Sequence, residues 1–249
     1  MQNFPLSALD IAALGLFVGF IALFEVLAWF GPLAGRGLAA EVQKQRRAWI
    51  RQMALREQRH IDAILLSSLS QSNAFFASTS VIGIGGLAAI MGATDTAKAV
   101  LERLPFVPTT AASLWELKVI LLMAILTYAF FKFAWAFRLS HYTAILYGAM
   151  PPAPARQAAH APAPAFVELS PHATAHADET ARLLGLVGEH ANSGLRSFYW
   201  AFAAIAWFVH PLLLMASSVG VLAILLRREY VSRAAAILRN CDAAAQPEG

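Results

Sequence analysis

Charge is scarce in this sequence. Only 14% of its 249 residues are Asp, Glu, Lys or Arg, against 58% hydrophobic, where a soluble domain carries about 25% charged residues. A chain of this length cannot hide so much apolar surface from water, so an ordinary soluble fold is excluded. Cysteine is nearly absent as well. The single Cys241 lies in a polar tail, which excludes an intramolecular disulfide and a cysteine metal cluster. There is no Gly-x-Ser-x-Gly elbow, no P-loop, no dinucleotide fingerprint and no His-Glu-x-x-His pair. No motif asks for a cofactor, and an enzyme is not expected. Met1 to Asp10 holds no Lys or Arg, and the apolar run that follows exceeds a signal h-region, so the first span is expected to stay in the mature protein.

What is present is length of apolar sequence. A bilayer core takes about 20 helical residues to cross, and four segments reach that: Leu6–Phe30, the region Ile61–Gly92, Leu114–Phe137 and Phe198–Leu226. Open strands would leave backbone groups unpaired in lipid, so these are helices. The expected fold is all-α, an integral membrane bundle of about four transmembrane helices with cytoplasmic amphipathic segments. The organisation reads as residues 1–150 with three spans and a basic loop, 151–165 as an Ala/Pro linker, 166–195 as an amphipathic helix, 196–230 as the fourth span and 231–249 as a polar tail. Ser170-Pro171 reads as an N-cap with Pro at the first helical position, and Asn192-Ser193-Gly194 as the end of that helix.

Basic residues set the orientation. Arg36, Lys44, Arg46, Arg47, Arg51, Arg56 and Arg59 lie between the first two spans, while the next loop offers only Lys98 and Arg103. The first loop is therefore expected in the cytoplasm of a bacterial inner membrane, with the N-terminus outside. Four spans then place Arg227, Arg228, Arg233 and Arg239 on the wrong side. A re-entrant fourth segment broken at Pro211 would bring them back, but its limbs of about 20 Å fall short of a core of roughly 30 Å. One tilted helix with a Pro kink is the expected arrangement.

The segment Leu38–His60 places Val42, Trp49, Ile50 and Met53 near one face of a helix and basic residues around the rest. It reads either as a helix lying along headgroups or as a solvated extension of span two. Lys44, Arg46, Arg47 and Arg51 are the basic residues expected to face lipid. With a net charge of +4, membrane lipids are the expected partners, together with other membrane proteins or a second copy. Nucleic acid is not expected.

A few polar residues stand inside apolar sequence. Glu25 in span one is either a relay on an ion path or an acid held at the cytoplasmic edge by headgroups or a base. Span two opens with Ser67, Ser68, Ser70, Gln71, Ser72 and Asn73, followed by Ser78, Thr79 and Ser80. These line a polar path, with Gln71 and Asn73 joining Glu25, or they serve helix packing beside Gly83, Gly85, Gly86 and Ala89. Lys118 and Lys132, near opposite ends of span three, are expected to snorkel. His60 and His141 fall at cytoplasmic span ends and are the candidate axial ligands if a haem is held. His172 and His176, with His190 beyond, have a spacing that a helical metal site could use, but the Ala-rich segment beside a linker is expected to be a solvated helix instead.

Three groups of residues carry a family resemblance. Arg46-Arg47-Ala48-Trp49-Ile50-Arg51 precedes a polar-start span with Phe76-Ala77-Ser78-Thr79. Arg138-Leu139-Ser140-His141-Tyr142 closes span three ahead of Pro151. Gly194-Leu195-Arg196-Ser197-Phe198-Tyr199 enters the last span, which holds Trp207-Phe208 and Pro211. In this order they resemble the uncharacterised four-helix membrane proteins of bacteria and plants classed as domain of unknown function five-nine-nine, over about Leu6 to Leu226. The Ser-rich start of span two and His210 depart from that pattern. The resemblance implies a topology and no activity. The functional expectation is a non-enzymatic accessory, scaffolding or assembly partner in the membrane. The alternatives are a small-solute or ion transporter using Glu25 and the polar half of span two, and a haem-binding redox subunit.

Overall fold

The computed structural model describes residues 6–29, 35, 37–103, 111–153 and 169–245. Its ordered elements are helices: α1 (Ala8–Trp29), α2 (Leu38–Ala54), α3 (His60–Gly92), α4 (Thr94–Leu101), α5 (Ala112–Gly148), α6 (Pro171–Ile205), α7 (Pro211–Tyr230) and α8 (Arg233–Ala245), with a 3-10 turn at Ala206–Phe208. Four stretches are long and apolar enough to cross a membrane: Ala8–Ala28, His60–Gly92, Ala112–Gly148 and Pro211–Cys241. The all-α membrane class follows directly. Most of the Ala/Pro linker lies outside the described residues.

Local chemistry starts α1 and α6. Ser7 and Asp10 form a reciprocal capping box at the head of α1, the Asp10 N–H donating to Ser7 Oγ and the Ser7 N–H to Asp10 Oδ2. Ser170 Oγ accepts from the Ala173 N–H and Pro171 occupies the first turn, so the expected N-terminus of α6 is present. Asn192-Ser193-Gly194, however, does not end that helix. It continues through them to Ile205 because the small side chains serve packing. A Cβ on Gly194 would lie 2.6 Å from the Phe133 ring, and the Ser193 hydroxyl pairs with Tyr128 OH at 3.2 Å. Asn-Ser-Gly marks a close helix crossing here, not a stop.

α5 is the central post. Its 37 residues extend about 55 Å, well beyond a bilayer core of about 30 Å. Both α3 and α6 pack against it. Phe133 joins them in a three-ring cluster, stacked on Phe76 of α3 at 5.1 Å and 5.9 Å from Phe198 of α6, with Phe76 and Phe198 themselves 6.0 Å apart. α1 packs chiefly on α7, and α2 on the first half of α6.

The expected single kinked helix over Phe198–Leu226 is instead two antiparallel helices. After the 3-10 turn the chain becomes extended at His210, whose Nδ1 accepts from the Leu212 N–H at 3.1 Å and so caps α7, with Pro211 in its first turn. The Ser217 hydroxyl then donates to the Ala203 carbonyl at 3.0 Å, and Arg228 lies over the Tyr199 ring at 5.8 Å. Contacts that widen in sequence on either side of residue 210 define a hairpin. Proline here starts a new helix after a reversal and does not bend an old one. The second limb also outruns the length that argued against this arrangement: α7 has 20 residues, about 30 Å.

The reversal returns α7 to the end of the molecule where α2 lies. Glu229 Oε1 accepts from the Ala39 N–H at 3.0 Å, giving the first turn of α2 the carboxylate cap that Gly37 cannot provide. α8 packs on α2 beyond it. At the same end Arg59 gathers four carbonyls, of Ala54, Arg56, Met150 and Pro151, at 2.8–3.2 Å. Tyr147 OH donates to the Arg59 carbonyl. The ends of α2 and α5 and the start of α3 are thereby tied together. The buried Asp62 accepts there from Trp49 Nε1 and Arg56 Nη1, each at 2.7 Å.

A methyl at Gly37 would collide with the Glu229 carboxylate. Gly37→Ala should therefore lose the cap and cost about 1 kcal/mol, seen as a lower thermal unfolding midpoint in detergent. Glu229→Ala should cost the same, and the double variant no more than either. Additive losses would show that the two residues act separately.

Candidate membrane-embedded site

The polar half of α3 is divided by the helix itself. Asp62, Leu66, Asn73 and Ser80 are buried on the side that packs against its neighbours, whereas Ser68, Gln71, Ser72, Ser78 and Thr79 are exposed. Several hydroxyls are satisfied within the helix: Ser72 donates to the Ser68 carbonyl, Thr79 to Phe75 and Ser80 to Phe76, at 2.9–3.1 Å. On the packed side a Cβ at Gly83 would lie 2.8 Å from Leu126 Cδ1, so the Leu126 side chain of α5 occupies the space left by this glycine. Gln71 and Asn73 thus point in different directions.

Glu25 belongs to a different part of the bundle. Its Oε1 lies 3.3 Å from Arg196 Nη2 on α6, and the guanidinium stands 5.5 Å above the Phe24 ring. The acid is thus paired with a base of α6. The structure does not gather Glu25, Gln71 and Asn73 around one path.

A second charged cluster fixes the opposite end of α1. Asp10 Oδ1 accepts from Trp207 Nε1 at 2.8 Å, and Ser7 Oγ donates to Oδ2 at 2.6 Å. Lys118 donates to the Trp207 carbonyl at 2.8 Å, with its ammonium 5.3 Å from the indole centre. Lys118 is only 4% exposed, so it does not snorkel. It is drawn inward because the reversal after α6 leaves C-terminal carbonyls in need of a donor, and Asp10 supplies the countercharge. Lys132 lies 5.2 Å from the Tyr128 ring.

Part of the basic face of α2 is engaged by α6, while the side chains of Lys44, Arg47 and Arg51 stay about half exposed. Arg51 makes a two-pronged contact with Asp178, Nε to Oδ1 and Nη2 to Oδ2, both 2.8 Å, and Arg47 lies 3.9 Å from the same carboxylate. Lys44 pairs with Glu41 at 3.0 Å on its own helix. Arg46 lies in the space left by Gly188, beside Glu189, and burial pushes its guanidinium down from its ordinary value. The apolar residues of α2 follow: Ile50, Met53 and Ala54 are buried with Ala177, Ala181 and Leu184 of α6. The helix therefore lies on protein along this face. Beside the contact runs a groove of about 490 Å3 lined by Gln43, Arg47, Glu179, Arg182, Gly185 and Glu189, among others. Its charges alternate in sign and present no single field to a ligand.

His60 and His141 are both exposed, and the His141 Nδ1 pairs with the Phe137 carbonyl at 2.9 Å. His176 contacts the Leu146 carbonyl at 2.8 Å, and no group of three or more His, Cys, Asp or Glu able to hold a metal occurs among the described residues.

Sequence reasoning missed Asp10, Asp62, Asp178, Arg196 and Glu229. Two of these carried a signal. Arg196 precedes the apolar run that ends at Phe208, where the cost that singled out Glu25 applies equally, and Ser7-x-x-Asp10 has the spacing of a capping box. The partners themselves lie far apart in sequence and needed the fold.

The Arg51 contacts hold the Asp178 carboxyl below the usual carboxylate range. A carboxyl lowered in the folded state stabilises the protein at neutral pH, and this contribution fades as pH falls through the folded pKa. Asp178→Asn should cost at most about 1 kcal/mol at pH 7, since the pair is partly exposed. The gap to the unaltered protein should close as unfolding is measured below about pH 4. A gap that persists undiminished in acid would show that Asp178 acts through shape and not charge.

No curated protein and no solved structure matches the chain. A family model described as "Protein of unknown function, DUF599" matches residues 12–234. The match takes in all three groups of motif residues, now seen as the Arg46–Arg51 face of α2, the end of α5 and the Arg196 entry to the hairpin. With nearly its whole length covered, the chain belongs to the uncharacterised DUF599 family of proteins.

Proposed function

We propose that this protein is a non-enzymatic assembly or scaffolding component of a bacterial inner membrane, with its N-terminus outside and α2, the α5–α6 connection and the C-terminus in the cytoplasm. The observation that carries this reading is an asymmetry in how polar groups are treated. Glu25, Asp10 and Lys118 have partners inside the fold, while the outward side of α3 leaves Ser68, Gln71 and Ser78 exposed in a stretch, residues 63–92, without a charged residue. In lipid, polar side chains on a helix surface favour contact with another helix. A proton relay at Glu25 would have to release a charge that Arg196 holds in place, which speaks for a positional role. Orientation rests on the basic residues. With the hairpin in place, Arg227, Arg228, Arg233 and Arg239 join those of α2 at one end, as the positive-inside bias favours.

Reporter fusions after Gln52, at Gln157 and at the C-terminus should all report cytoplasm, and one at Thr94 the outside. A C-terminal fusion reporting the outside would contradict the hairpin. Purified gently from native membranes, the chain should migrate well above its 26.9 kDa as a defined complex. Glu25→Gln should support full growth wherever deletion of the protein slows it. A lone monomer, together with loss of growth on Glu25→Gln, would favour transport over assembly.

A further inference from the structure

The outward face of α3 has a regular spacing that packing inside this chain does not use. Ile64, Ser68, Gln71, Phe75, Ser78 and Ile82 follow one another at alternating intervals of four and three, and every one of them is exposed. Gly85 and Ala89 continue the same series and are exposed too. This is the a/d rhythm of a left-handed helix pair. It lies half a turn away from Leu66, Asn73 and Ser80, which are buried on the packed side. Three of the largest exposures among apolar residues fall on it: Ile64 at 65%, Phe75 at 65% and Ile82 at 75%. Lipid would cover the apolar members as well as protein does. It offers nothing to the Gln71 carboxamide, which has no hydrogen-bond partner among the described residues.

We propose that this face is a homodimer seam on which α3 packs in parallel against α3 of a second copy, a proposal that gives the assembly reading above its partner. Two features favour a second copy over a different protein. All copies of one sequence insert in the same direction, so a two-fold axis along the membrane normal brings each position opposite itself. The seam then needs side chains that can pair with themselves, and it has only those. A carboxamide and a hydroxyl each donate and accept, so Gln71 meets Gln71, Ser68 meets Ser68 and Ser78 meets Ser78 without an unmatched charge. Apolar pairs form at Ile64, Phe75 and Ile82, and Gly85 and Ala89 let the far ends approach closely. The seam spans 25 residue steps from Ile64 to Ala89, about 38 Å of helix, enough to cross the bilayer core. A single polar residue at such a position also sets register, as a buried amide does in coiled coils.

The test uses full-length protein in native membranes carrying Cys241→Ser, which removes the only cysteine. In that background Gln71→Cys, Ser78→Cys and Ile82→Cys should give a disulfide-linked dimer on mild oxidation. Phe131→Cys and Val219→Cys, exposed to 64% and 51% on α5 and α7, should not. Separately, Gln71→Ala should weaken dimerisation about fivefold in lipid vesicles, in line with interhelical hydrogen bonds of about 1 kcal/mol in membranes, with the helical content unchanged. Equal cross-linking at all five positions, or none at the seam, would overturn the proposal. Seam cysteines that capture a different protein would overturn the second copy while leaving the assembly reading intact. A monomer with no associated protein would overturn both.

Discussion

Trp207 is bound from two directions, and the course of the chain depends on it. Its indole N–H donates to Asp10 at the head of α1, while its carbonyl accepts from Lys118 at the head of α5. The residue sits in the 3-10 turn where the chain reverses, and it is fully buried. Three helix ends are thereby fixed at one level. The acid and the base balance each other's charge, and the indole lies beneath the ammonium. A reversal in an apolar medium would otherwise leave carbonyl groups unsatisfied, each at a cost of several kcal/mol. With Trp207 held, α1 and α7 are free to run side by side in the same direction, and the chain leaves α7 at the end where α2 lies.

That end is organised by matched charge and by small residues that admit it. Gly188 makes room for Arg46, Gly185 for the Gln43 amide and Gly37 for Glu229. Each missing side chain lets a polar group lie against backbone. Asp178 collects two arginines of α2, and the apolar contacts of Ile50 and Met53 close the interface beneath them. Arg47 and Arg51 of this basic helix thus meet a carboxylate of α6, and Lys44 meets one on its own helix.

The spans, the N-cap of α6 and the membrane class were legible because each rests on local pattern: apolar length, or Ser-Pro at a helix start. The reversal was not, since Pro211 is compatible with a kink or with a new helix. Contacts such as Ser217–Ala203 and Glu229–Ala39, 14 and 190 residues apart in sequence, decide between them. A hint was nonetheless present. Four arginines after the last span conflicted with the orientation bias, and the conflict was real because the topology behind it was wrong. Lys118 and Asn192-Ser193-Gly194 misled for a related reason. Burial of a lysine and continuity of a helix through glycine depend on what stands opposite, here Trp207 and Phe133. Polar residues of α3 were visible as a group, but their division between two faces required knowing which side α5 occupies.

The grip of Arg59 on the last carbonyls of α5 has a consequence for the stretch that follows. Arg59 holds Met150 and Pro151, and His176 of α6 contacts Leu146 of α5. Both ends of the α5–α6 connection are thus anchored on the bundle independently of what joins them. Once the ends of a loop are brought together by other contacts, its closure entropy grows only logarithmically, by about 0.6 kcal/mol for each doubling of length. The connection can therefore lengthen, shorten or drift in composition at little thermodynamic cost, which makes it the natural place in this fold for sequence to vary or for an inserted module to be carried on the α2 side of the molecule.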